Sequence, residues 1–209
     1  MPLNLLLVML QACAAIPQDL SGKMFTFPQE TNSVHVRLTT SRQSLRAVPV
    51  CLRSFKDLFK PHDTTNDRND LWIRDSHIVI EDYKLNWWHS LCSTWDSSGL
   101  VQLWFDGQPS MRKFVSSGSN ITGHTRIVLG QVLDAYDGGF DINQSFVGMM
   151  SDVHMWDHVL SLCQIQNCVH HLNFIPGNVL NWRALEFQIK GRMLREDKQK
   201  IETCYYIFH

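Results

Sequence analysis

The chain has 209 residues, 44% of them hydrophobic and 19% charged, and its formal net charge is −1. That size and apolar content are enough for one domain with a sizeable core. The near-neutral balance excludes a broad basic surface for nucleic acid or an anionic membrane.

Residues 1–15 carry an apolar stretch, 5–10, and a small-residue site at Ala12-Cys13-Ala14. They read as a secretory signal peptide, too short to span a bilayer. The start carries no Lys or Arg, so a buried N-terminal strand is the competing reading. Secretion makes the chain extracellular, with 1–15 as leader and 16–209 as one mature domain. No later apolar stretch is long enough to cross a membrane.

Period-2 alternation, the mark of a half-buried strand, then recurs along the chain. It appears at Phe25 and Phe27, at Val34, Val36 and Leu38, and at Val48, Val50 and Leu52 around Cys51. Residues 62–70 are polar and loop-like, and 77–81 read as a short strand. Residues 100–105 form a strand running into Asp106-Gly107, a pair suited to the positive-φ turns that close hairpins. Residues 126–130 end a strand at Gly130, and 146–148 and 153–156 read as two more. Short strands at this spacing predict an all-β sandwich. One short helix is expected over 161–172, capped by Ser161, with Ile165, Val169 and Leu172 on its apolar face. The charged tail 192–200 reads as helical or disordered.

Loss of Cys13 with the leader leaves Cys51, Cys92, Cys163, Cys168 and Cys204. The number is odd, so at least one is free or pairs between chains. An oxidising compartment favours one or two disulfides. Asn120-Ile121-Thr122 and Asn143-Gln144-Ser145 are glycosylation sequons.

The segment 134–144 concentrates oxygen ligands at Asp134, Asp137, Asp141, Asn143 and Gln144, with Gly138 and Gly139 between them. Calcium takes six to eight such oxygens, and glycines let distant ligands converge. A plain solvated turn has the same composition.

Three stretches taken together resemble the short pentraxins, the family of C-reactive protein and serum amyloid P component. The first is Cys92-Ser93-Thr94-Trp95-Asp96-Ser97, followed by Leu103-Trp104-Phe105-Asp106-Gly107. The second runs from Val128-Leu129-Gly130-Gln131 through Asp134 and Gly138-Gly139-Phe140 to Gln144-Ser145-Phe146-Val147-Gly148. The third is Met155-Trp156-Asp157 with Asn178-Val179-Leu180-Asn181-Trp182. Phe25-Thr26-Phe27-Pro28 adds an N-terminal match, and within the family the mucosal pentraxins look similar.

The resemblance implies that 16–209 is a pentraxin domain: a two-sheet, concanavalin-like jelly-roll sandwich with one short helix, assembled as a cyclic homopentamer. It also implies a Cys51–Cys92 disulfide, which would close about 40 residues and add roughly 3–4 kcal/mol. Asp134, Asp141 and Gln144 fall on the family's calcium-ligand positions, and Leu133 on one that contributes its carbonyl. The implied function is calcium-dependent, lectin-like recognition in innate immunity. The implied ligands are phosphocholine, phosphoethanolamine or anionic glycans.

Four departures stand out. Val132 replaces a ligand glutamate. The span between Cys51 and Cys92 is about twenty residues shorter than in the family, so central strands are expected to be missing. Asn69-Asp70 is the best substitute for the ligand pair that this span supplies. Ser90 occupies the place of the signature histidine, with His89 one residue early, and the C-terminus runs on to His209. Fewer ligands and less charge imply a weakened calcium site, since affinity follows both.

Other constellations carry less. Cys163, Cys168, His170 and His171 lack the usual zinc spacing. A jelly-roll glycoside hydrolase needs paired carboxylates, and only Asp134 sits in that frame. No nucleophile elbow or HExxH occurs. The tryptophans read as core, except that adjacent Trp87 and Trp88 point opposite ways, which leaves one exposed. A truncated or decayed copy with no ligand is the remaining alternative.

Overall fold

The computed structural model describes residues 16–56, 70–73, 76–79, 84–114, 120–123, 125–132 and 139–198, with backbone alone for 70–79. In chain order the strands are β1 (Lys23–Phe27), β2 (His35–Leu38), β3 (Ser44–Leu45), β4 (Val50–Lys56), β5 (Asp70–Ile73), β6 (Ser76–Val79), β7 (Trp88–Trp95), β8 (Leu100–Phe105), β9 (Gln108–Pro109), β10 (Lys113–Phe114), β11 (Ile121–Thr122), β12 (Ile127–Leu129), β13 (Gly148–Met155), β14 (Phe187–Lys190) and β15 (Leu194–Asp197). The helix α1 spans Leu162–Val169.

The main sheet runs β10-β8-β7-β4-β13-β1-β15, with β9 beside β8. A smaller sheet runs β12-β2-β14, and β11-β3 and β5-β6 form separate pairs. All the pairings are antiparallel. The inner faces of the two larger sheets share one core. Phe25 and Phe27 of β1, Val153 of β13 and Trp95 of β7 meet Val36 and Leu38 of β2 and Leu129 of β12. Phe25 joins the layers directly. Its ring lies edge-on to Trp182 at 5.3 Å and to Phe187 of β14 at 5.1 Å. Aromatic pairs of this geometry add to area burial.

A second apolar cluster covers the outer face of the main sheet. Cys51, Cys92, Trp104 and Trp156 pack under Ile165, Cys168 and Val169 of α1. Cys51 and Cys92 stand directly opposite across β4 and β7, with Cα atoms 4.1 Å apart, and form the expected disulfide. Cys163 and Cys168 have no disulfide partner among the described residues. The helix begins where its cap demands. Ser161 Oγ accepts from Gln164 N at 3.3 Å, and Gln164 Oε1 accepts from Ser161 N at 2.8 Å, a reciprocal capping box. It ends before Leu172, which is exposed.

The expected Asp-Gly turn is present. Asp106 and Gly107 take φ of 46° and 81°, and the chain returns as β9. Several expectations change. Residues 146–156 hold one strand, not two: β13 runs through a bulge between Ser151 and His154, and Phe146 and Val147 precede it. The charged tail is neither helical nor disordered over Leu194–Asp197. It pairs with β1, where Lys23 faces Asp197 and Thr26 Oγ1 donates to Glu196 at 2.6 Å. The shortened span still carries the β5–β6 hairpin, and its strand begins at Asp70 inside the segment read as a loop. The leader residues 1–15 and Cys204 lie outside the described residues.

Candidate functional site

The loop read as a cation site leaves the small sheet at the end of β12. Gly130 makes the turn at φ 91°, and a Cβ there would stand 2.3 Å from Phe27 Cε1. Only glycine fits that combination of conformation and contact. The Gly130 carbonyl accepts from Phe146 N at 3.0 Å, which ties the two ends of the loop together.

Gln131 braces the near end. Its Nε2 donates to the carbonyls of Thr31 at 2.7 Å and Val34 at 3.0 Å. That orientation turns Oε1 inward, where it is buried without a donor among the described residues. A buried acceptor left unpaired is costly unless some cation or donor meets it. Nothing in the sequence pattern alone marks Gln131 as an oxygen donor.

The far end is a single turn of 3-10 helix, Ile142–Gln144, capped by Asp141. Asp141 Oδ1 accepts from Asn143 N and from Asn143 Nδ2, each at 3.0 Å, and Oδ2 has no partner among the described residues. Asp141 is the extended cap residue before the turn, and Gln144, the last residue of the turn, is exposed. Phe140 anchors the approach by packing on the His35 ring at 4.9 Å.

Of the sequence-derived ligands, the structure describes the side chains of Asp141 and Gln144, at the start and the end of this turn. Leu133, Asp134 and Asn69 lie outside the described residues, and Asp70 is placed only as the first residue of β5. Val132 is half-buried and offers no side-chain oxygen. The donor set around 131–144 consists of a carboxylate and amide oxygens, which suits a hard cation such as calcium and not a soft one. Among the described residues the set fits calcium in kind.

The histidine at 89 has its own role. His89 is buried. Its Nδ1 lies 2.6 Å from Asp106 Oδ2, and its Nε2 lies 2.8 Å from the Lys84 carbonyl. It fastens the β8–β9 turn to the approach into β7. Ser90, one residue on, faces α1 and donates to the Val169 carbonyl at 3.4 Å. The sequon residues Asn120 and Asn143 are both exposed. Ser145 is buried, with Oγ accepting from Thr31 N at 3.3 Å. Trp87 is 67% exposed, whereas Trp95, Trp104, Trp156 and Trp182 are core. Among the described residues no helix is long and apolar enough to cross a membrane.

Comparison with known proteins places this geometry in context. The Pentaxin family model matches residues 65–196. The chain is 34% identical over 198 residues to serum amyloid P-component of Cavia porcellus, covering 84% of this chain and 87% of that one. It is also 34% identical over 203 residues to mucosal pentraxin of Bos taurus, covering 87% of this chain and 90% of that one. Among solved structures, the native heptameric SAP-like pentraxin from Limulus polyphemus superimposes with a TM-score of 0.71 at 21% identity, covering 86% of this chain and 96% of that one.

Proposed function

The chain belongs to the pentaxin family, and on that basis we propose that it is a secreted, calcium-dependent recognition protein for phosphorylated or anionic ligands. Phosphocholine, phosphoethanolamine and acidic glycans are the ligand classes, and the work is binding, not catalysis. The observation that carries the reading is the Asp141 carboxylate, whose Oδ2 meets no donor among the described residues, with the exposed Gln144 amide three residues on and the buried Gln131 Oε1 unpaired among the described residues. Asp134, the Leu133 carbonyl and the Asn69-Asp70 pair complete the proposed ligand set. A bound cation would let a nearly neutral protein hold an anion without a basic patch.

Val132 makes the site weak. One fewer carboxylate moves calcium affinity toward the range of about 0.1–1 mM used by extracellular modules, where ambient calcium still fills the site. The chains assemble as a cyclic homo-oligomer, a pentamer by the family pattern. Calorimetric titration of calcium, with and without phosphoethanolamine, tests the proposal. The expected result is a dissociation constant weaker than about 1 μM and ligand binding that disappears in chelator. Sub-micromolar binding overturns the weakening. Absence of heat at millimolar calcium overturns calcium dependence and favours a copy that has lost its ligand. Native mass spectrometry in the same buffers should show five chains per particle.

A further inference from the structure

A second polar site lies on the other side of the main sheet, beneath the C-terminal end of α1. Strand alternation sets its floor. Arg53 of β4 is paired with Ser90 of β7, and both face the helix, as do Cys51 and Cys92. The bulge in β13 turns Asp152 to φ 54° and returns His154 to the same face, opposite Cys51. Bulges of this kind re-aim side chains, and non-glycine residues held at positive φ concentrate at functional sites. The space enclosed by these strands, His171 and Arg183 is a cavity of about 190 Å³. That is about ten times what one water needs.

The charge in this cavity is not balanced. The Asp152 carboxylate is already taken by Lys198, with which it forms a hydrogen-bonded ion pair. Arg53 has no such partner: its Nε is buried and meets no acceptor among the described residues. Its guanidinium lies over the Trp88 ring, 5.5 Å from the centroid, and a cation–π contact of this kind steadies the planar fork. Arg183 lines the same cavity from an exposed position. His154 and His171 add N–H groups without adding charge at neutral pH. Burial is the main cause that holds both below the ordinary imidazole range, and nearby cations act in the same direction against Asp152.

A helix C-terminus alone would disfavour an anion. Here its carbonyls are occupied. Ser90 Oγ donates to Val169 O, His171 N to Cys168 O, and His170 N to Gln166 O. What remains is a polar, roomy cavity in which the Arg53 guanidinium is not offset by a carboxylate among the described residues, while Arg183 is offset in part by the exposed Asp19. A guanidinium fork matches tetrahedral oxyanions by parallel N–H donors.

We propose that this cavity is a calcium-independent binding site for a phosphate or sulfate group, gripped by Arg53 and closed on the solvent side by Arg183. The group is either the free ion or an ester carried on a sugar. The site is separate from the loop at 131–144 and does not depend on it.

The test uses the intact secreted protein in chelator, so that the calcium loop contributes nothing. Inorganic phosphate, inorganic sulfate and glucose 6-phosphate are titrated by calorimetry. The expected result is one ion per chain with a dissociation constant of about 1 mM or tighter. Arg53→Met should weaken it at least tenfold and Arg183→Met several-fold, while Lys190→Met on the far sheet changes nothing. Tighter binding of glucose 6-phosphate than of inorganic phosphate identifies the ester as the natural form, and the reverse identifies the free ion. Should Arg53→Met fail to melt cooperatively, Arg183→Met decides. No binding by the parent protein up to about 10 mM, or parental affinity in both arginine variants, overturns the proposal.

Discussion

At the scale of single residues, the proposed weakness of the calcium loop rests on Val132. Its neighbours supply oxygen: Gln131 has a buried Oε1, and Asp141 caps the 3-10 turn that ends at Gln144. An apolar side chain between them withholds one charged ligand. Val132→Glu should therefore tighten calcium binding by at least about tenfold in a calorimetric titration, and unchanged affinity would place the loop outside the cation site. The pair His89 and Ser90 shows the same sensitivity to a single position. Adjacent strand residues point to opposite faces, so moving the histidine by one residue changes what it touches. His89 holds the Asp106 turn, while Ser90 meets the helix with only a hydroxyl.

At the scale of elements, the bulge in β13 sets the chemistry of the outer face. It places His154 at 3% exposure against Trp156 and Phe174. Burial, opposed only in part by Asp152, pushes its imidazole down to about 4. In the unfolded chain the group takes its proton near 6.5. Between these values the unfolded state binds a proton that the folded state refuses, so stability falls as pH drops from about 6.5 to about 4. The full loss is about 3 kcal/mol, and above about 6.5 the group is neutral in both states and contributes nothing. Urea unfolding across that window measures the slope, which His154→Gln should remove. β15 makes a different point. Its four residues, Leu-Arg-Glu-Asp, have no strand periodicity of their own and are exposed throughout. They become a strand because β1 offers an unpaired edge and because Lys23 and Thr26 meet Asp197 and Glu196 across it. A charged edge strand of this kind also discourages edge-to-edge association.

At the scale of the whole molecule, the sandwich has two clusters, one between the sheets and one under the helix, and the disulfide lies in the second. Cys51 and Cys92 are 41 residues apart in sequence. Closing that loop restricts the unfolded chain by about 4 kcal/mol in the chain-entropy account. Replacing both cysteines with serine should lower the urea unfolding free energy by about that amount. A loss below about 1 kcal/mol would mean that the two strands are held by packing alone.

Much of this was legible in the chain itself. Alternation at Phe25 and Phe27, the Asp106-Gly107 turn, the Ser161 cap and the paired cysteines all act over a few residues or through a recognised pattern. Each appears where it was expected. Local rules also marked 134–144 as rich in oxygen ligands. Tertiary structure alone decided the rest. The tail strand depends on a partner more than 170 residues away, and the merger of 146–156 into one bulged strand depends on the register against β4. The inward turn of Gln131 Oε1 depends on two carbonyls near residue 30. The buried Arg53 Nε, without an acceptor among the described residues, depends on which residues the sheet and helix bring around it. Pairing, burial and the balance of charge in a cavity are sums over non-local neighbours, and no window of sequence contains them.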